Sequence, residues 1–314
     1  MTPLLEARGL KKYFKNKAGM LHAVDGVNVQ LDEGKTLGVV GESGCGKTTL
    51  GRTILHLIDP TGGQIFFEGE DVSKPSRRTL SRLREKMQII FQDPYSSLNP
   101  RMSLSEAIME PLVLRGGMTK MEMREETRRL MDVVGIASRF ENSYPHELDG
   151  GRRQRIGIAR ALVLKPKFIV CDEPVSALDV SVQAQILNLM MDLQDKMGLA
   201  YMFVSHDLSV VRHISQEVAV MYLGQCVERA ATDKLFNNPK HPYTQALLDA
   251  IPVPNLSSRS KKRVIIEGEV TSPINPAPGC RFAPRCPYVR EECTGIDIEY
   301  KECAPGHFVS CIKY

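Results

Sequence analysis

The stretch "TLGVVGESGCGKTT", residues 36–49, decides the fold. Its apolar start predicts a buried strand, and "TTLGRTILHL" (48–57) predicts the helix that follows. The turn between them matches the pattern G-x-x-x-x-G-K-[ST], in which glycines let successive backbone N–H groups face a phosphate at a helix N-terminus. A glycine-rich turn with a chance lysine is the alternative, and the strand–turn–helix context disfavours it. In this pattern Lys47 would reach the outer phosphates of a nucleotide and Thr48 would ligate magnesium.

A second motif, "KFIVCDEP" (167–174), is a mostly apolar run that ends in paired acids. In an open α/β sheet, ligands bind just beyond the carboxyl ends of the strands. We therefore expect Asp172 to hold Mg²⁺ through water and Glu173 to polarise the attacking water. Two further apolar runs end in polar residues that fit the same site, Gln92 and His206. Each of these is by itself an ordinary strand end, and it is their recurrence that indicates a γ-phosphate site.

Apolar runs and helical patterns alternate over much of the chain, which predicts an α/β fold with a largely parallel sheet. Residues 180–197 repeat apolar residues at helical spacing. Residues 102–143 break the alternation because they are charged, Met-rich and without a strand candidate, which predicts an all-helical insertion. From about residue 239 to residue 263 the chain is rich in Pro, Ser and bases, and we interpret this part as a connector to a small appended domain with clustered cysteines.

Composition limits the classes of function. The chain has 314 residues and a net charge of +4, which is too mild to argue for nucleic-acid binding. No stretch approaches the roughly 20 apolar residues that span a bilayer, and the N-terminus lacks the apolar core of a signal peptide. The sequence therefore predicts a cytosolic protein, whose membrane role would come from a partner.

The order of these motifs resembles that of the ATP-binding subunits of ABC transporters, over about residues 1–235. After the phosphate loop come the further motifs of that family, in chain order: Gln92, "HELDGGRRQRIGIARAL" (146–162) at the place of the signature motif, Glu173, "SALD" (176–179) and His206. This order and spacing are very specific to the family.

Two C-terminal segments narrow the resemblance. "HPYTQALLDAIP" (241–252) and "GCRFAPRCPYVREEC" (279–293) are similar to the extension of oligopeptide and dipeptide importer ATPases. The implied fold is an α/β P-loop NTPase core of the ABC ATPase type, with a helical subdomain and a small Cys-rich C-terminal extension. The implied segments are the first part of the core at 1–101, the helical subdomain at 102–160, the second part of the core at 161–238 and the extension at 239–314.

The resemblance also implies the residues of the ATP site. Those that bind ATP and Mg²⁺ would be Tyr13, Gly41, Ser43, Gly44, Cys45, Gly46, Lys47, Thr48, Thr49, Gln92 and Asp172. Within this set, Tyr13 would stack on adenine, and Thr48 and Gln92 would contact Mg²⁺. Glu173 would be the general base, and His206 would contact the γ-phosphate.

The signature motif departs from the family pattern. L-S-G-G-Q is replaced here by Leu148, Asp149, Gly150, Gly151 and Arg152. An ionised Asp149 cannot donate a hydrogen bond to the γ-phosphate on a partner subunit, and its charge is unfavourable there. Arg152, Arg153 and Arg155 would either draw Asp149 away or contact phosphate themselves. Alternatively, Asp149 is the N-cap of the following helix, which would not restore a donor to ATP.

This departure suggests an asymmetric heterodimer with a sister ATPase that has an intact signature. The ATP that faces Asp149 would then turn over slowly or not at all. A homodimer with two weakened sites is the rival interpretation, and a substitution tolerated without effect is a third.

The C-terminal cysteines suggest a metal centre. Cys280, Cys286, Cys293 and Cys311 have the spacing C-x5-C-x6-C-x17-C, whereas zinc sites more often use closer pairs. Four thiolates can hold a [4Fe–4S] cluster, and certain peptide-importer ATPases are similar in carrying one. We expect a structural cluster, with Cys303 as a spare thiol. Zinc and reduced thiols stay open as alternatives.

The resemblance implies ATP hydrolysis that drives import of dipeptides or oligopeptides. The implied partners are a second ATPase subunit, two transmembrane permease subunits and, indirectly, an extracytoplasmic peptide-binding protein. The chain would lie peripherally on the cytoplasmic face of the membrane, without nucleic acid. Import of another small solute such as nickel, a soluble ABC ATPase of DNA repair or translation, and a non-hydrolysing partner are the alternatives.

Overall fold

The computed structural model of the chain describes residues 2–251, 268 and 272–314. The strands are β1 (Leu5–Asn16), β2 (Gly19–Leu31), β3 (Thr36–Val40), β4 (Gly62–Phe67), β5 (Glu70–Asp71), β6 (Met87–Ile90), β7 (Phe168–Asp172), β8 (Ala200–Val204), β9 (Glu217–Tyr222), β10 (Gln225–Ala231), β11 (Lys301–Ala304) and β12 (His307–Val309). The α-helices are α1 (Lys47–Ile54), α2 (Arg77–Lys86), α3 (Pro94–Ser97), α4 (Leu104–Arg115), α5 (Lys120–Val133), α6 (Gly150–Leu162), α7 (Val180–Met197), α8 (Leu208–Ile214), α9 (Thr232–Asn237) and α10 (Pro242–Asp249).

The described residues form two compact units. Unit 1 is drawn from residues 1–32, 36–74 and 205–314, and unit 2 from residues 33–35 and 75–204. The four segments expected from the sequence divide the chain by its motifs, whereas these units are defined by compactness. The four segments therefore stay a prediction. In the described part of the chain, no helix combines the length and the apolar character that crossing a bilayer requires.

Unit 1 contains an antiparallel sheet with the strand order β2-β1-β4-β5. Its other strands follow the order β11-β12-β10-β9-β3, in which β3 and β9 are parallel and the remaining pairs are antiparallel. All residues of β3 are buried, as expected for a parallel strand that is covered on both faces. The strand predicted before the phosphate loop is therefore confirmed.

Unit 2 contains the parallel neighbours β6, β7 and β8, in that order. The register sets Cys171 beside Ile90 on one side and Phe203 on the other, so the three strands end at one edge. Every residue of β7 and β8 is buried. This arrangement confirms the predicted parallel strands and places the chain that follows each of them at the same edge of the sheet.

The all-helical insertion predicted for residues 102–143 is also confirmed. It contains α4, α5 and a 3-10 helix at Ser138–Phe140. Both α-helices begin with a capping box, made by Ser103 with Glu106 in α4 and by Thr119 with Glu122 in α5. The reciprocal hydrogen bonds satisfy backbone donors at each helix start, which explains why this charged stretch is helical.

Part of the predicted connector is instead a helix. Residues 242–249 form α10, because Tyr243 is fully buried and its ring packs 4.7 Å from that of Tyr222 and 5.4 Å from that of Phe282. The connector prediction is wrong for this part. Its continuation at 252–263 lies outside the described residues.

Candidate functional site

The phosphate loop of unit 1 has no room for side chains at two of its glycines. Gly41 has a φ of 151°, and a Cβ added there would lie 2.1 Å from the Met221 carbonyl oxygen. Gly46 has a φ of 103°, and a Cβ there would lie 2.0 Å from the Ala23 carbonyl oxygen. Glycine is required at both positions by conformation and by space, which is the physical basis of the sequence pattern.

Helix α1 begins at this loop without a side-chain cap. Its N-cap is Gly46, whereas α8 in the same unit is capped by the Asp207 carboxylate, which accepts from the N–H groups of Ser209 and Val210. The first N–H groups of an α-helix have no partner within the helix and carry partial positive charge. The uncapped start of α1 is therefore suited to bind a phosphate.

Lys47 adds a full positive charge to this loop. The side chain is buried, and its ammonium group donates hydrogen bonds to the carbonyl oxygens of Gly41 at 2.8 Å and Glu42 at 3.0 Å. Cys45 is buried beside it, and burial raises the pKa of its thiol. The loop therefore presents backbone donors and one ammonium group, with a protonated thiol as filler.

Tyr13 lies elsewhere in unit 1, with one ring face covered. Its ring stacks on that of His22 at a centroid distance of 3.9 Å, and its hydroxyl group donates to the Asp25 carboxylate. Asp25 also accepts from His22 at 3.0 Å and from Arg281. Burial, reinforced by the hydrogen bond to Asp25, raises the pKa of Tyr13. Asp25 lies in no motif, and the quoted segment that contains Arg281 (279–293) is distinguished by its cysteines, so local patterns do not predict this network.

In unit 2, the structure brings three predicted site residues together. Asp172 is the buried last residue of β7, and Glu173 follows it. The Gln92 amide, which follows β6, donates to the Glu173 carboxylate at 2.9 Å. The Glu173 N–H donates to the Val204 carbonyl oxygen at 3.0 Å. The neighbouring parallel strands thus place an amide and two carboxylates at one edge of the sheet.

Glu173 has an unusual backbone conformation. Its φ is 47°, in the left-handed region that disfavours residues with a Cβ. Such strain costs about 1–3 kcal/mol and persists where the surrounding structure enforces it, often at functional sites. The hydrogen bonds of its backbone to Val204 and of its carboxylate to Gln92 hold this geometry.

His206, predicted to contact the γ-phosphate, lies in unit 1. It is exposed and comes directly before the cap residue of α8. The backbone N–H of its neighbour Ser205 donates to the Val39 carbonyl oxygen at 3.1 Å, which fixes this turn beside β3. The backbone next to His206 is therefore fixed beside the strand that precedes the phosphate loop.

The signature segment of unit 2 confirms the N-cap interpretation of Asp149. Its carboxylate accepts the Arg152 N–H at 2.8 Å, and the Arg152 guanidinium lies 3.2 Å from the other carboxylate oxygen. The guanidinium groups of Arg153 and Arg155 donate instead to the carbonyl oxygens of Pro145 and Val134. Of the three arginines, Arg152 is the one that draws Asp149 toward the helix.

The four spaced cysteines line one cavity of about 80 Å³ in unit 1: Cys280, Cys286, Cys293 and Cys311. Burial raises the pKa of Cys280 to about 11 and also raises the pKa values of Cys286 and Cys311. Cys303 does not line this cavity, and its thiol contacts the His307 carbonyl oxygen instead. Over the described ranges, no group of three or more ligating side chains is arranged to hold a metal ion. The predicted iron–sulfur cluster is thus not confirmed.

Comparison with known proteins gives two family matches. The ABC transporter family matches residues 24–176, and the oligopeptide/dipeptide transporter C-terminal region matches residues 227–293. The chain is 50% identical over 320 residues to the oligopeptide transport ATP-binding protein AppF of Bacillus subtilis, which covers 99% of this chain and 97% of the relative. It is 49% identical over 318 residues to the dipeptide transport ATP-binding protein DppF of Haemophilus influenzae, with 99% and 96% covered.

A solved structure is also similar. The dimeric, post-hydrolysis structure of the ATP-binding cassette MJ0796 bound to ADP and Pi matches with a TM-score of 0.67 and 28% identity. The match covers 73% of this chain and 98% of that one.

Proposed function

Because the chain belongs to the ABC transporter family of oligopeptide and dipeptide transport ATP-binding proteins, we propose that it hydrolyses ATP to drive the import of dipeptides or oligopeptides. The observation that carries this function is the phosphate loop, in which Lys47 lies beside the uncapped start of α1. Similarity to peptide transport proteins over 99% of the chain favours a peptide over nickel or another small solute.

Unit 1 supplies the residues that bind ATP. The backbone N–H groups of the loop, from Gly41 to Thr49, cradle the phosphates, and Lys47 exchanges its loop carbonyl partners for phosphate oxygens. Tyr13 stacks the adenine ring on the face that His22 does not cover. His206 contacts the γ-phosphate.

Unit 2 supplies the residues that act on the attacking water. Glu173 is the general base, and the Gln92 amide orients its carboxylate through the 2.9 Å hydrogen bond. The buried Asp172 and the side chain of Gln92 would offer oxygen ligands to Mg²⁺, the ligand type that this ion prefers. Bound Mg²⁺ neutralises charge that develops on the phosphates.

Glu173→Gln tests the catalytic assignment. The variant keeps the size and the hydrogen-bonding reach of the side chain but removes the base. We expect ATP turnover of the assembled transporter to fall at least about 100-fold while ATP still binds. Steady-state phosphate release measures turnover. Glu125→Gln, at an exposed position of α5, is the matched control and leaves turnover unchanged. Wild-type turnover in the Glu173 variant would refute the proposal.

The family implies permease partners, and we assign the chain to a peripheral position on the cytoplasmic side of two such subunits. A second ATPase subunit would complete the transporter. The dimeric state of the similar cassette MJ0796 supports a dimer here. Asp149 supports a heterodimer, because its carboxylate is committed to the α6 N-cap and offers no donor to a partner's ATP.

The Cys-rich C-terminal extension is proposed to hold a [4Fe–4S] cluster on Cys280, Cys286, Cys293 and Cys311. Support comes from the cavity that they share, since thiolates buried in it would need a cation to compensate their charge. We expect protein prepared without oxygen to be brown and to carry about four irons per chain. Cys293→Ser should lose this iron and Cys303→Ser should keep it. Colourless, iron-free wild type would overturn the assignment.

A further inference from the structure

Two arginines of the C-terminal segment, which we define as residues 272–314, contact residues of the proposed nucleotide site in unit 1. Arg285 donates from one guanidinium nitrogen to both carboxylate oxygens of Glu42, at 3.0 and 3.2 Å. Its side chain is only 8% exposed, and the same nitrogen lies 3.4 Å from the Tyr222 hydroxyl group. Glu42 directly follows Gly41, so this ion pair ends on the phosphate loop itself.

Glu42 is held at every polar group it has. Its carbonyl oxygen accepts from Lys47 at 3.0 Å, and its N–H donates to the Tyr243 hydroxyl group at 2.9 Å. Its carboxylate is bound by Arg285. Lys47 and Arg285 therefore grip the same loop residue, one from the helix α1 and one from the C-terminal segment. Glu42 therefore links Arg285, through its carboxylate, to Lys47, through its carbonyl oxygen.

The second arginine reaches the residue expected to stack on adenine. Arg281 donates to the Asp25 carboxylate and to the Leu223 carbonyl oxygen, and its side chain is 6% exposed. Asp25 in turn accepts from the Tyr13 hydroxyl group and from His22, the ring on which Tyr13 stacks. Although burial opposes the charge, these hydrogen bonds and the charge of Arg281 lower the pKa of Asp25.

Burial and packing anchor the C-terminal segment around its two arginines. Phe282, between the two arginines, is 1% exposed and packs edge-on against Tyr222 at 5.3 Å. The backbone of Arg285 closes a 3-10 turn onto Phe282 at 3.0 Å. Removing one partner of a buried ion pair leaves the other charge uncompensated, which is strongly unfavourable.

We propose that Arg281 and Arg285 are positioning residues for the ATP site of their own chain. Arg285 sets the phosphate loop through Glu42, and Arg281 sets Tyr13 through Asp25. The C-terminal segment is thereby a part of the nucleotide site and not an independent appendage. The inference rests on the proposed function, because it assumes that Tyr13 and the phosphate loop bind ATP.

The test is ATP affinity, measured on the purified full-length chain with a fluorescent ATP analogue and Mg²⁺. We expect Arg285→Met to raise the Kd for the ATP analogue about tenfold. A change of this size corresponds to the loss of one charge-assisted hydrogen bond. Arg285→Lys should keep most of the affinity, because one ammonium group can replace the one nitrogen that contacts Glu42. Arg281→Lys should not, because Arg281 uses two nitrogens for two partners.

A double-mutant cycle and a charge control separate positioning from mere stability. Glu42→Gln should raise Kd as much as Arg285→Met, and the double variant no further. Lys301→Met removes one exposed positive charge from the same segment and should leave Kd unchanged. Unchanged Kd for Glu42→Gln and for Arg281→Lys would overturn the inference, as would a lower melting temperature with no change in Kd. Failure of the wild type to bind ATP would instead overturn the proposed function as well.

Discussion

At the scale of single residues, Asp149 illustrates how one side chain meets a structural and a chemical demand that conflict. Its carboxylate caps α6 by accepting the Arg152 N–H at 2.8 Å. A serine hydroxyl group would accept the same hydrogen bond and could also donate to a phosphate. The aspartate therefore keeps the fold of the signature segment while it gives up the donor.

Asp149→Ser tests whether this loss limits catalysis. Serine preserves the cap and supplies a donor, so we expect ATP turnover of the assembled transporter to rise roughly twofold or more as a second site becomes active. Asp149→Ala removes the charge without supplying a donor, and it should cost about 1 kcal/mol of stability through the lost cap. Unchanged turnover in the serine variant would remove the main support for an asymmetric dimer.

At the scale of elements, the sequence analysis did not predict α10, because the residues around this helix have the composition of a linker. Pro and basic residues flank it, and its helical character depends on burial of Tyr243 against rings from distant parts of the chain. Its start is capped by His241, whose ring nitrogen accepts the Tyr243 N–H at 3.1 Å. The cap works with a neutral imidazole, and burial lowers the pKa of His241 to about 4, against the opposing effect of Glu228.

This cap predicts a pH dependence of stability. Between about pH 6.5 and pH 4 the unfolded chain protonates His241 and the folded chain does not, so stability falls as the pH falls through this window. By pH 5 the loss should be about 2 kcal/mol. His241→Asn keeps a capping oxygen but cannot titrate, so urea unfolding should show a shallower fall from pH 7 to pH 5. His213→Asn, at an exposed position of α8, should keep the wild-type slope, and equal slopes for all three proteins would contradict the explanation.

At the scale of the whole molecule, the features that could be predicted from the sequence are those that local patterns of residues encode. The strand, turn and helix of the phosphate loop, the further apolar strands and the helical insertion follow from glycine spacing, hydrophobic runs and a charged, Met-rich stretch without a strand candidate, and the structure confirms these elements. The contact of Arg285 with Glu42 joins residues 243 positions apart, and that of Arg281 with Asp25 joins residues 256 apart. No local pattern carries such pairs, because each partner alone is an ordinary charged residue.

The division of the chain between the two units has a consequence for its synthesis. Unit 2 ends at residue 204, but unit 1 needs β9, which pairs with β3, and β12, which pairs with β10. At roughly 5 to 20 residues per second, a ribosome takes roughly 5 to 25 seconds to add residues 205–314. Strand β3 is complete at residue 40 and its parallel partner β9 at residue 222, so roughly 9 to 36 seconds of synthesis separate the two strands. Nascent chains must therefore keep the phosphate-loop strand from aggregating until β9 has been made.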